Sequence, residues 1–341
     1  MSGRPRLSDR LLDAAACPDP VAAVLDATVR GDRLALRTSG TSGATRSVVR
    51  TAASWSHSFP HVSALLSVGH DARVWVPGPL SSTMNLFAAV HAAWAGATVI
   101  SDPRDATHAH LTPSALARCL DDGAPLTGVH VLVAGDRLAV GLHDQAAAAG
   151  ARISHYYGAA ELSFVAWGSH ADDLHPFPEV DVVDREGVLW VRSPYLADGY
   201  EGEPGALLRD PDGYATVGDR GHVASGLVRV LGRGTEAVTT SGVTVLVADV
   251  EHALRPAVAG GELVVVGVPH PDLGAVLCGV LTDGARVDAV RARARSVLDG
   301  THRPRRWFAV DHLPLTAAGK VDRAGLAALV ASTGEGVRRL P

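Results

Sequence analysis

Lys320 is the only lysine in this 341-residue chain; arginine supplies every other permanently charged basic side chain. It closes PLTAAGK, residues 314–320. An ammonium is a compact point charge with three rotating donors, whereas a guanidinium is a wide planar fork. A position that keeps lysine therefore suits a charge placed between crowded oxygens. An arginine-biased composition also leaves a stray lysine somewhere, and placement alone does not separate the two. A Walker-type loop needs GxxxxGK followed by Ser or Thr, but Pro314 stands at its first glycine and Val321 at its hydroxyl position. A Schiff-base lysine for a pyridoxal cofactor fits the chemistry, yet nothing nearby supplies a phosphate cradle or a pyridinium partner. The third reading is a lysine on a glycine-flanked loop that reaches into a site built elsewhere.

A second segment with chemical capacity is RTSGTSGATR, residues 37–46, directly after the strand-like RLAL. Its glycines let successive backbone N–H groups curl into an anion nest, and Thr38, Ser39, Thr41 and Ser42 add hydroxyl donors. Such a loop suits a triphosphate, although a Ser/Gly/Thr run is also a common solvated turn. Its company carries the argument: YYGAAE at 156–161, GYATVGDRG at 213–221 and LGRGTEAVTTSGVTV at 231–245.

The elements that must position these residues are legible as periodicities. Between residues 72 and 158, strand-like runs (ARVWVPG, ATVIS, GVHVLVAGD, ARISHYYG) alternate with Ala-rich helical ones (LFAAVHAAWAG, SALARCL, HDQAAAAG), which predicts parallel α/β layers. From about Gly187 short β runs follow, antiparallel or barrel-like. After Gly232 a compact α+β set remains. The fold class is α/β: a large domain over 1–232, layered α/β with a β-rich subdomain, and a small α+β domain over 233–341 on a hinge. Residues 1–35 read as an amphipathic helical entry, with Leu11, Leu12, Ala15, Ala22, Val24 and Leu25 apolar, broken at Pro18 and Pro20.

Composition narrows the function. The net charge is −5 and no basic stripe runs along the chain, so nucleic acid and anionic membrane are not expected partners. The arginines at 291, 293, 295, 303, 305 and 306 read as solvated faces. Three scattered cysteines without CxxC spacing fit a reduced compartment, and no apolar run reaches spanning length. A cytoplasmic protein without membrane insertion is expected. His108 and His110 suggest a metal, but two histidines without a third ligand more often lie at the surface.

Taken in order from about Leu34 to Leu326, the four segments and PLTAAGK resemble the adenylate-forming superfamily of acyl-CoA synthetases and peptide-synthetase adenylation domains. The 37–46 loop is similar to the family's STGTTGxPK motif, with Thr45 for its proline and Arg46 for its lysine. YYGAAE resembles YGxTE, with Ala160 for its threonine. GYATVGDRG resembles the TGD motif, and 231–245 the GRxDDxIKxxG segment, with Thr235 at the hinge position. PLTAAGK resembles PxTxxGK, whose lysine is the family's adenylation lysine. The segment ahead of the phosphate loop is far shorter than the family's usual one, as in short o-succinylbenzoyl-CoA ligases.

The resemblance implies roles. Thr38, Ser39, Gly40, Thr41, Ser42, Gly43 and Arg46 would hold ATP phosphates; Tyr157 and Gly158 would lie against adenine; Asp219 would accept from the ribose hydroxyls; and Arg233 would meet ribose or phosphate. Glu161 would hold Mg²⁺, for which a carboxylate oxygen is the right hard ligand. Lys320 would bridge the substrate carboxylate and the α-phosphate. The implied reaction is ATP-dependent activation of a small carboxylic acid as an acyl adenylate, then transfer to coenzyme A. In it the small domain rotates to withdraw the lysine and open a pantetheine tunnel past Gly242. Two alternatives stand beside it: loading onto the phosphopantetheine of an acyl carrier protein, and a degenerate, non-catalytic binding module. A homodimer could replace the short segment's cover. The acyl pocket would draw on Ser82, Met84 and Asn85 within GPLSSTMNLF, on Gly135, and on Ala159. GPLSSTMNLF has no acidic residue to meet an α-ammonium, which argues against α-amino acids.

Overall fold

In the computed structural model, which describes residues 10–39, 45–233, 237–258, 261–316 and 321–341, the strand–helix alternation builds a seven-stranded sheet. Its order is His175–Pro176, Ser163–Gly168, Arg152–Ala159, His130–Val133, His108–Leu111, Arg73–Trp75, Thr98–Ile100. The last five strands run parallel and the first two pair antiparallel. Both faces of the parallel part are covered, which is why His130–Val133 is buried along its whole length. Side-chain alternation sends Ala109, Leu111, Val131 and Val133 to a core with the helices Pro113–Asp121 and Val140–Ala148. Val74 and Leu132 join the opposite core with Phe59–Leu66 and Thr83–Trp94.

His108 and His110 share that second face, and both are buried. The surface expectation for this pair is therefore corrected. His108 is accommodated because its Nε2 lies 3.0 Å from the Leu66 carbonyl, a partner 42 residues earlier in the chain.

The N-terminal helical expectation is corrected as well. Leu11–Asp13 is a short strand, parallel to Arg33–Ser39 with Leu11 opposite Arg33. The helix begins only at Pro20, where the Asp19 carboxylate accepts from Ala22 N at 3.0 Å, and it ends at Arg30 before Gly31 in the left-handed region at φ 73°. Arg33–Ser39 continues into a four-stranded sheet by antiparallel pairing with Thr45–Thr51, which in turn pairs with Gly199–Glu201. A third, six-stranded sheet gathers the β-rich segment, with Asp219–Ala224 between Val188–Arg192 and Leu227–Arg233.

The chain divides into two compact units between Val230 and Leu231. In the second, a six-stranded sheet carries Val247–Leu254 and Val287–Val297 over one face and Arg323–Ser332 over the other. Arg323 clamps Glu251 through both carboxylate oxygens, at 2.6 and 3.0 Å. Of the arginines expected at solvated faces, Arg295 and Arg305 are exposed, whereas Arg291, Arg293, Arg303 and Arg306 are half-buried. Arg293 donates to the Ala253 carbonyl and Arg303 to that of Leu298, so both tie helix ends.

Candidate functional site

The hairpin of the phosphate-loop motif is in register from Arg33 opposite Thr51 to Ser39 opposite Thr45. Thr38, Ser39 and Arg46 thus flank its connection. Gly40, Thr41, Ser42 and Gly43 lie outside the described residues, as do Thr235 and Lys320. Arg233 ends the strand Leu227–Arg233. One stem of the hairpin is tied to the first turn of the helix Thr83–Trp94, where Thr83 Oγ1 donates to the Arg37 carbonyl at 2.9 Å.

Glu161 sits inside a tight turn closed by Leu162 N donating to Ala159 O at 3.1 Å. The turn depends on glycine. A Cβ on Gly158 would stand 2.1 Å from the Ser163 carbonyl oxygen, at the point where the ladder slips by one residue between Tyr157 and Gly158. Glu161 is buried, and its Oε1 accepts from Tyr200 Oη at 2.9 Å. Tyr200 also accepts from Leu207 N at 3.1 Å, and it lies on Gly199–Glu201 directly opposite Val48. This pairing fixes the carboxylate beside the strand that leads out of the phosphate loop. A single hard carboxylate fits Mg²⁺, which keeps waters and takes substrate phosphates as its remaining ligands. Among the described residues no group of three or more His, Cys, Asp or Glu is arranged as a metal cage.

Tyr157 Oη donates to Asp219 Oδ2 at 2.7 Å. Asp219 is buried at the start of Asp219–Ala224, so the last strand of the parallel sheet and a strand of the β-rich sheet meet through two candidate nucleotide-binding side chains. Tyr156, the neighbouring ring, points the other way into the first core and stacks on Trp167 with centroids 6.1 Å apart. Burial raises its phenol well above the usual range.

Arg50 was not anticipated from the sequence. Its side chain is fully buried and donates to the Ala160 carbonyl at 3.2 Å, to Ser54 Oγ at 3.3 Å and to the Tyr195 carbonyl. Burial pulls the guanidinium down to about 10, against the charges of Asp198 and Glu161, which favour its ionised form. The Ala160–Glu161 turn is therefore held from beneath by a cation. A charged residue directly after Val48 and Val49 in a strand was the available signal, and Tyr200 carried none.

Of the acyl-pocket candidates, Met84 and Gly135 come together. Met84 Sδ lies 3.8 Å, and Thr112 Cγ2 3.5 Å, from where a Cβ on Gly135 would sit. Asn85 is buried, donates to the Pro79 carbonyl at 3.1 Å and covers Gly78, where a Cβ would fall 2.0 Å from its amide nitrogen. Ser82 precedes the helix, and its carbonyl accepts from Leu86 N. Ala159 packs against the core of the β-rich sheet.

The chain matches the AMP-binding enzyme family over residues 34–201 and the AMP-binding enzyme C-terminal domain over 249–320. It is 27% identical to an uncharacterized acyl-CoA ligase, YhfT, of Bacillus subtilis over 84% of this chain and 66% of that one. It is 34% identical to a probable 2-succinylbenzoate–CoA ligase of Mycobacterium tuberculosis over 63% of this chain and 59% of that one. The structure superposes on a variant of Escherichia coli MenE with bound OSB-AMS at TM-score 0.71 and 25% identity, covering 88% of this chain and 69% of the other. The chain thus spans about three-fifths to two-thirds of the length of the curated relatives it matches.

Proposed function

The chain belongs to the adenylate-forming superfamily of AMP-binding enzymes, and from that premise we propose that it activates a carboxylic acid with ATP and transfers the acyl group to coenzyme A. The observation that carries the reading is the pairing of Tyr157 with Asp219 beside a Glu161 held by Tyr200 against the phosphate-loop strand. One group is thereby available to each part of the nucleotide.

A carboxylate is a poor electrophile because its charge repels nucleophiles. In the first step its oxygen attacks the α-phosphorus of ATP, an O–P bond forms, the bond to the β-phosphate breaks and pyrophosphate leaves. Tyr157 lies against adenine, Asp219 accepts from the ribose hydroxyls, and the hairpin tip with Thr38, Ser39 and Arg46 receives the phosphates. Mg²⁺, when bound, neutralises phosphate charge, and Glu161 is the residue that would hold it. Lys320 steadies the negative charge shared between carboxylate and α-phosphate. In the second step a thiolate attacks the acyl carbon and AMP leaves. Coenzyme A is the thiol favoured here because the matched proteins bear the name CoA ligase. The protein's place in the cell is likewise a proposal, the cytoplasm; among the described residues no helix is long and apolar enough to cross a membrane.

The test is ATP–pyrophosphate exchange across short, long, aryl and amino acids, with Lys320→Ala beside the parent protein. Exchange with one acid, abolished by the substitution, is expected. Silence from folded protein across the whole panel would refute the activity.

A further inference from the structure

His91, on the helix Thr83–Trp94, and His108, His110 and His130, on the sheet face beneath it, are all buried, and three of the four are paired. His91 Nε2 meets Ser63 Oγ at 2.8 Å. His108 places Nε2 3.0 Å from the Leu66 carbonyl and Nδ1 2.9 Å from Thr107 Oγ1. His130 shares the same carbonyl through Nδ1 at 3.1 Å and meets Ser154 Oγ through Nε2 at 2.9 Å. A carbonyl only accepts, so His108 carries its proton on Nε2 and His130 on Nδ1, leaving the other nitrogen of each to accept from a hydroxyl. His110 departs from this pattern: 3% exposed, it has a buried Nε2 with no hydrogen-bond partner.

Strand geometry says where His110 points. Residues 108, 110 and 112 share one face, since Thr112 keeps an extended backbone at φ −80° and ψ 160°. Thr112 and Met84 converge on the missing side chain of Gly135. Two strand residues span roughly 7 Å, so His110 lies one layer below that gap, with Leu132 opposite it on the next strand.

We propose that His110 is a specificity-determining residue at the floor of the acyl site, selecting carboxylic acids whose tail carries an uncharged oxygen, hydroxyl or carbonyl, within reach of its Nε2. The proposal rests on the reading of Met84 and Gly135 as acyl-site residues and names the substrate class of that site. A plain alkyl tail would leave the buried Nε2 unpaired, and a buried polar atom without a partner is costly. A second carboxylate or an ammonium is disfavoured too. His110 is pushed down to about 3 by burial, and the histidines around it are pushed the same way, so a charge brought here gains no counter-charge from these rings. A hydroxyl satisfies either tautomer of the ring, and a carbonyl satisfies the one with a proton on Nε2.

The experiment is calorimetric titration, without nucleotide, of same-length acids with plain, hydroxy and oxo tails into the parent protein, His110→Leu and His110→Gln, with ATP–pyrophosphate exchange run in parallel. At least one oxygenated acid should bind the parent about tenfold or more tighter than its plain twin. His110→Leu should erase that preference without lowering the melting temperature, and His110→Gln, which keeps hydrogen-bonding groups, should retain part of it. Equal binding of the pairs, no binding of any acid, or a preference unchanged in His110→Leu overturns the proposal. Absent exchange alongside an intact binding preference would refute the adenylating activity instead and uphold the role of His110.

Discussion

Tyr157 reaches across 62 positions of sequence to donate its phenolic hydrogen to Asp219 Oδ2 at 2.7 Å, joining the two side chains read as the adenine and ribose contacts. The bond orients a carboxylate before any nucleotide arrives. Tyr157→Phe keeps the ring and removes only the donor, and hydrogen bonds to charged groups contribute about 1.5–3 kcal/mol. Since the lost contact acts through the ribose partner, KM for ATP should rise about tenfold with kcat little changed, whereas Asp219→Ala should lower kcat/KM for ATP by about a hundredfold or more. Steady-state pyrophosphate exchange at varied ATP separates the two effects.

Tyr200 does the corresponding work for Glu161. Removing its hydroxyl in Tyr200→Phe frees the carboxylate to turn, without altering its charge. The Mg²⁺ concentration for half-maximal activity should rise several-fold, and ATP–pyrophosphate exchange at saturating Mg²⁺ should recover most of the parent rate. Glu161→Gln should not recover, because an amide is a weaker ligand for a hard cation. Equal Mg²⁺ dependence in all three proteins would contradict a metal-binding role for Glu161.

These partnerships also mark what the sequence could and could not reveal. The parallel layers were legible because each strand and helix between residues 72 and 158 carries its own period, and the motif residues were legible because they are contiguous. Leu11–Asp13 misled because three residues are too few to display alternation, and their apolar spacing continues into the next segment. His108 misled, and Arg50 passed unnoticed, for a different reason. Each is a polar side chain made tolerable in the interior by acceptors far along the chain: the Leu66 carbonyl for one, and carbonyls 110 and 145 residues away for the other. No local pattern encodes such partners.

Arg50 leads to a stability prediction. Arg50→Met fills much of the same volume but strands the Ala160 and Tyr195 carbonyls, each costing about 1–3 kcal/mol when unpaired. The desolvation cost of the cation disappears at the same time, so the net loss should be about 1–4 kcal/mol. For a unit of this size that lowers the melting temperature by several degrees. Arg50→Lys, with one branch fewer, should fall between the two. A melting temperature unchanged in Arg50→Met would show that the guanidinium contributes nothing net.

Gly158→Ala tests the turn that presents Glu161. The new Cβ meets the backbone carbonyl of Ser163 at 2.1 Å, so the clash cannot be relieved by a rotamer change and the ladder must open. Loss of exchange activity is expected together with a lower melting temperature. Gly187→Ala is the comparison, since its φ of 77° makes it strained but its nearest neighbour is the end of an arginine side chain at 3.8 Å. It should cost about 1 kcal/mol and leave exchange intact.

The buried histidines set the acid limit of the first unit. Burial lowers His91, His130 and His155 to about 4 and His110 to about 3, while the same side chains in the unfolded chain titrate near 6.5. Between those values the unfolded state binds protons that the native state refuses. Stability therefore rises with pH in this window and is lost as pH falls from about 6.5 toward 4, by at most roughly 1.4 kcal/mol per pH unit for each histidine. Above pH 7 both states are neutral at these positions and the dependence vanishes. Thermal melts should show a plateau from pH 7 to 8 and a steep decline between pH 6 and 4.5. His130→Gln, which keeps hydrogen-bonding capacity toward Leu66 and Ser154 but cannot be protonated, should shallow that decline by about the contribution of one histidine. A melting temperature that stays flat down to pH 4.5 would mean that these rings take up protons in the native state as readily as in the unfolded chain.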